Sequence, residues 1–220
     1  ITLIGEAEMT LEAGTEFVDP GTKVTDNVDE DLQAVAAGTV DHMKPGTYII
    51  PYTAKDLAGN EAITFTSTGT PVPVTRKVIV VDTTAPAITL KGEVETGIEA
   101  GATYTDAGAT AADIVDGDVT ASITVDNPVD TSKPAVYTVT YTVSDSADNE
   151  ATATRKVTAA DSIAPVITLL GEAEIVHEAG PDYTDAGATA VDSLEGDLTV
   201  QIVAVNPVKT LEPALYTITY

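Results

Sequence analysis

Val136-Tyr-Thr-Val-Thr-Tyr-Thr-Val143 alternates without a break: Tyr137, Val139, Tyr141 and Val143 fall on one side, and three threonines lie opposite. A side-chain period of two with one apolar face is the signature of an antiparallel strand half buried against a core. Ser144-Asp-Ser-Ala-Asp-Asn149 follows as a turn, and Ala151 to Val157 reads as the returning strand, so the stretch predicts a hairpin. Upstream, Ile88 to Leu90, Gly108 to Ala112 and Val119 to Val125 read as further short strands, with Asn127-Pro128 and Lys133-Pro134 between strand segments. No segment sustains a helical period with caps. Roughly seven strands in about 80 residues, with turn signals every 8–12 or so, predict an antiparallel β-sandwich rather than an up-and-down barrel.

The same pattern occurs three times. ITLIGE at 1–6, ITLKGE at 88–93 and ITLLGE at 167–172 are spaced by 87 and 79 residues. Each is followed by Glu-Ala-Gly, from Glu12, Glu99 and Glu178, and by an aromatic-x-Asp-x-Gly, from Phe17, Tyr104 and Tyr183. A period this long suits a small independent domain rather than a solenoid repeat, which cannot bury a core alone. The expected domains are 1–82, 83–161 and 162–220. The junctions Asp82-Thr-Thr-Ala-Pro86 and Asp161-Ser-Ile-Ala-Pro165 are short, and proline restricts the angle at which one copy leaves the next.

The strung-together order resembles a bacterial immunoglobulin-like repeat. The motifs that carry it are Pro86-x-Ile-Thr-Leu-x-Gly92, Glu-Ala-Gly, Tyr104-Thr-Asp-Ala-Gly-Ala-x-Ala111, Asp116-Gly-Asp-x-Thr120, Tyr137 to Asp145 and Thr154-Arg-Lys-Val157. This type is appended to pesticidal crystal proteins and large secreted surface proteins and is related to the hyalin repeat. The resemblance covers essentially the whole chain. It implies an all-β protein of tandem Ig-like antiparallel β-sandwiches serving as spacer or adhesion modules, extracellular or on a bacterial cell surface, and it implies no catalysis. The short proline junctions add the expectation that the sandwiches are arranged as an elongated rod.

The copies differ in two places. Copy one carries about ten extra residues between Asn60 and Arg76, near 66–75, either a protruding finger or a tolerated loop insertion. Copy three stops at Tyr220, the end of the strand Leu215 to Tyr220, with its last hairpin missing. Either the natural chain continues, or another subunit donates the strand to an open edge.

Composition narrows the function classes. There are 35 acidic and 10 basic residues, a net charge of −25, so nucleic acid is not an expected partner. No run reaches the roughly 18 apolar residues of a membrane span, and no basic-then-apolar leader opens the sequence. Cysteine and tryptophan are absent. His177-Glu178 begins like a zinc-protease helix, but Pro181 stands where the second histidine belongs. Nucleophile elbows, phosphate loops and a Ser/His/Asp set are missing, so the chain is not expected to be an enzyme. A crosslink through Lys77 or Lys156 is a remote alternative.

The recurring acidic loop is the best place for chemistry. Copy two has Asp113, Asp116 and Asp118; copy one has Asp26, Asp29 and Asp31, with Asp56 in its hairpin turn; copy three has Asp192, Glu195 and Asp197. Three carboxylates on one loop supply fewer oxygens than the six to eight that Ca²⁺ takes, so neighbours must contribute. In an Ig-like sandwich this loop shares an end with the last hairpin turn and the entering linker. Asp82 would therefore meet Asp113, Asp116, Asp118, Asp145 and Asp148, and Asp161 would meet Asp192, Glu195 and Asp197. Two readings stand: Ca²⁺ bridging adjacent copies, or turn carboxylates bonding their own backbone. Asp19, Asp106 and Asp185, with Glu12, Glu99 and Glu178, are expected to be structural, accepting backbone hydrogen bonds at a bulge or strand crossover. The functional expectation is a non-catalytic spacer or adhesion segment, flanked by further Ig-like domains. The alternatives are an array binding a surface glycan or protein receptor, and a filament subunit.

Overall fold

A computed structural model describes residues 1–65 and 68–220. Nearly all regular structure is strand, with single 3₁₀ turns at Thr120–Ser122 and Thr199–Gln201. By contacts the chain divides into two compact units. One comprises Ile1–Lys91, Gly108–Val125 and Thr140–Ala153; the other Gly92–Ala107, Asp126–Val139 and Thr154–Tyr220.

Copy one lies within the first unit and shows why the sequence makes a sandwich. Strand Val74–Val81 alternates so that Arg76, Val78 and Val80 turn inward, and Gly46–Thr53 likewise sends Ile50 and Tyr52 inward. These two pair antiparallel, from Gly46 opposite Val80 to Tyr52 opposite Val74. Glu8–Glu12 runs parallel to Lys77–Val81 on the outer side, and Val35–Ala36 closes the other edge, giving a four-stranded sheet. A separate pair, Thr2–Leu3 with Thr22–Lys23, forms the facing layer. Ile50, Tyr52 and Val78 make the core, and Ile1 and Leu3 pack on it from that layer beside Leu11, Phe17 and Val74. Two layers enclosing one apolar interior are the sandwich.

The extra residues of copy one form a small hairpin, Thr64–Phe65 against Pro71–Val72, with Ile63 and Phe65 exposed. The stretch near 66–75, read as either a finger or a loop insertion, thus includes one strand of a paired ribbon, and its residues 66–67 lie outside the described residues.

In the first unit's share of copy two, Ala87–Leu90 pairs antiparallel with Ala109–Ala112, and Gly117–Asp118 folds back on Ala112 and Asp113. The stretch Val119 to Val125, expected as one strand, is instead a 3₁₀ turn at Thr120–Ser122 followed by strand Thr124–Asp126. The cause is Thr120. Its hydroxyl donates to Ala111 O at 3.2 Å and accepts from Ala111 N at 3.0 Å, while its own amide donates to Asp118 Oδ1 at 2.9 Å. Those local bonds take the backbone out of the ladder.

The second unit repeats the parallel pair of copy one: Glu95–Glu99 runs beside Lys156–Ala160. It also holds copy three, where Val166–Leu169 pairs with Ala188–Asp192 and Gly196–Asp197 completes the sheet. Leu215 to Tyr220, expected as a strand, makes only an isolated bridge, Thr219 with Val205. In copy one the matching strand is held by the ladder of Val74–Val81. Among residues 167–220 no such partner lies beside it, and a cleft of about 930 Å³ lined by Leu169, Val176, Val208, Leu215, Tyr216 and Tyr220 stands open.

Candidate metal centre

Three carboxylates converge in the first unit. Oxygens of Asp82, Asp113 and Asp116 lie within 4.8 Å of one another, the one such grouping among the described residues. Asp82 is the last residue before the linker, following strand Val74–Val81; Asp113 ends strand Ala109–Asp113; Asp116 sits in the turn leading to Gly117–Asp118.

Each carboxylate has a distinct environment. Asp113 is buried, and its Oδ1 accepts from Val115 N at 2.7 Å and Asp116 N at 3.0 Å, capping its own turn. Its Oδ2 is buried with no partner in hydrogen-bond geometry, and the same holds for both oxygens of Asp82, the Thr84 amide lying near but outside that geometry. Burying carboxylate oxygens without a donor or counter-ion is costly. Burial, then the charge of Asp113, with Asp145 and Glu12 adding, pushes the Asp82 carboxyl above its ordinary value; the Thr84 amide offsets this only in part. Asp116 is tied to the hairpin turn, accepting from Ser146 N at 2.7 Å and Ser146 Oγ at 2.8 Å.

The remaining expected ligands divide sharply. Asp145 is buried but committed to its turn, accepting from Ala147 N, Asn149 N and the Asn149 side-chain amide at 2.8–2.9 Å. Burial raises its pKa, but those bonds outweigh it and the net direction is down. Asp118 bonds Thr120, and Asp148 occupies the left-handed region at φ 65°. Neither joins the trio. Copy one repeats the turn bonds. Asp26 caps Val28 and Asp29, Asp29 Oδ2 takes Leu57 N at 2.9 Å, and Asp56 holds Asn60. Asp31 stands at φ 58° without joining them. In copy three Asp192 caps Leu194 and Glu195, Asp197 bonds Thr199, and exposed Asp161 bonds Ile163 N at 3.3 Å.

The second acidic set is structural, by a route the sequence reading missed. Asp19 accepts from Gly21 N at 3.0 Å and from the Tyr52 hydroxyl, and pairs with Arg76 Nε at 3.2 Å. Arg76 is fully buried; its guanidinium also donates to the carbonyls of Glu6, of Ile4 at 2.8 Å and of Gly21 at 3.0 Å. Arg155 does the same in copy two, bonding Glu93 O at 3.0 Å and the Asp106 carboxylate. In copy three Asp185 accepts from the Tyr220 hydroxyl, which is thereby pushed up to about 12. The missed signal was the inward register of Arg76 with Val78 and Val80.

Glu12 and Glu99 act on the linkers instead of a bulge. Glu12 accepts from Thr83 N at 2.8 Å, Thr83 Oγ1 at 2.7 Å and Thr84 Oγ1 at 2.8 Å. Glu99 accepts from Ser162 N at 2.8 Å and Ser162 Oγ at 2.5 Å. His177 Nε2 lies 3.1 Å from Pro181 O.

Tandem Ig-like β-sandwiches are therefore the class of protein in hand. The chain belongs to the family of bacterial surface protein Ig-like domains, whose model matches residues 1–80, 88–159 and 167–220. No curated protein matches it. Among solved structures it is similar to a lipoprotein, BT2262 of Bacteroides thetaiotaomicron, at 25% identity over 36% of this chain and 39% of that one, with a TM-score of 0.33. A structure of CBM51-2 and INT domains from Clostridium perfringens ZmpB matches at 24% identity over 39% of this chain and 20% of that one, TM-score 0.29. Four cadherin domains of the protocadherin PcdhgB3 match at 14% identity over 94% of this chain and 62% of that one, TM-score 0.35. The chain thus spans less than two thirds of each, and at these scores the superpositions assign nothing to it. No helix among the described residues is long and apolar enough to cross a membrane.

Proposed function

We infer that this chain is a non-catalytic spacer of a bacterial cell-surface or secreted protein. Three sandwiches, 1–82, 83–161 and 162–220, hold a head domain away from the cell, and Ca²⁺ stiffens the first junction. The observation that carries the reading is Asp82. A half-buried residue at the start of a linker, grouped with Asp113 and Asp116 and with both its oxygens unpartnered, is what a cation-locked joint requires. The Glu12 clamp on Thr83 and Thr84 and the fixed φ of Pro86 support the same end.

Small-angle scattering of the whole chain tests it. Extended, sharply defined profiles in calcium and a broader distribution of dimensions in chelator are expected. Identical extended profiles in both conditions remove calcium from the account, and a collapsed globule in both removes the spacer. An adhesive role rests on exposed Ile63 and Phe65. Glycan-array binding that disappears on deleting residues 66–74 would favour it.

A further inference from the structure

The structure assigns the ligand set: we propose one divalent-cation site formed by Asp82, Asp113 and Asp116, with Ser146 and Asn149 of the last hairpin turn as its positioning residues. The proposal rests on the cation-locked junction and deepens it by naming which of the many carboxylates bind and what sets their affinity. Two oxygens bound to one Ca²⁺ at about 2.3–2.6 Å stand no more than about 5 Å apart. The three carboxylates meet that limit, with ligand oxygens within 4.8 Å. Asp113, 9% exposed, keeps one buried oxygen without a partner, and both oxygens of Asp82 are likewise buried and unpartnered. These are the second, independent sign of a ligand beyond acidity itself. Asp118, Asp145 and Asp148 are excluded because their oxygens serve their own turns or stand outside the trio.

The hairpin completes the device. Ser146 fixes both oxygens of Asp116 through its amide and hydroxyl. The Asn149 side-chain amide reaches Asp82 O at 3.2 Å and Asp145 Oδ2 at 2.8 Å, so one residue holds the linker backbone to the turn. Outer groups of this kind orient ligands and tune affinity without touching the metal. Three segments distant in sequence thus meet at one ion: the linker, the acidic turn and the last hairpin.

Calorimetric titration of Ca²⁺ into the chelator-stripped whole chain is the test, joined to melting in calcium and in chelator. One tight equivalent is expected in the wild type and none in Asp82→Asn. Because Asp82 carries an unrelieved charge without the ion, Asp82→Asn should melt above wild type in chelator and below it in calcium. Ser146→Ala should weaken binding about tenfold with its melting in chelator unchanged, and Ser146→Thr should restore it. Asp118→Asn should bind as wild type does. Absence of a tight equivalent, or one that survives Asp82→Asn, overturns the proposal. Either result leaves the spacer standing, since scattering tests that separately.

Discussion

At the scale of single residues, the chain is organised around two buried arginines. Arg76 and Arg155 are 0% and 2% exposed, and each ties the turn of an ITLxGE motif to an aspartate of the aromatic-x-Asp-x-Gly segment. A guanidinium suits the task, since its planar fork serves several carbonyls and a carboxylate at once. Removing one partner of such a pair leaves the other buried and uncompensated. Arg76→Ala should therefore lower the stability of copy one by about 3–5 kcal/mol. Urea unfolding followed by tyrosine fluorescence checks this, and a loss below about 1 kcal/mol contradicts it. Both arginines were in plain view in the sequence, in register with inward valines. Period-two reasoning accounts for apolar positions, however, and has no rule that turns a charge inward without seeing its partner.

At the scale of elements, linker and sandwich are joined by Glu12. The Thr83 amide first, then the Thr83 and Thr84 hydroxyls, hold its carboxyl below its ordinary value. Ser162 does the same for Glu99, its hydroxyl first and then its amide. For a carboxyl whose folded value is depressed, the contribution is complete above the unfolded value and is lost as pH falls through the folded one. Acidification below about 4.5 should thus release the linker of the wild type before the sandwich unfolds, seen as rising amide exchange at Thr83 and Thr84. In Glu12→Gln those amides should exchange fast at neutral pH also; protection unchanged by the substitution would contradict the clamp. Strand existence was legible wherever alternation was unbroken: strand Ala135–Ser144 buries Val139, Tyr141 and Val143 as the pattern demanded. Val119 to Val125 misled because Thr120 bonds locally, and the parallel pair Glu95–Glu99 with Lys156–Ala160 went unread because Glu-Thr-Gly-Ile-Glu carries almost no apolar alternation.

At the scale of the molecule, the triplicated motifs made both the sandwich and its tandem repetition readable, and the family match over 1–80, 88–159 and 167–220 agrees. The candidate site was half legible. Spacing proposed fourteen carboxylates, and the loop chemistry of Asp, Asn and Gly is the same whether a turn or an ion is served. Only the fold brings Asp82, Asp113 and Asp116 together and leaves both oxygens of Asp82 and one of Asp113 unpartnered. With 35 acidic residues against 10 basic, a cation held by this trio would also relieve part of the repulsion among its carboxylates. A crystal structure of the chain grown in calcium tests this most directly. The account predicts one ion at the first junction, bonded to oxygens of Asp82, Asp113 and Asp116 at about 2.3–2.6 Å. Well-ordered density with those three carboxylates splayed apart and no ion between them would contradict it.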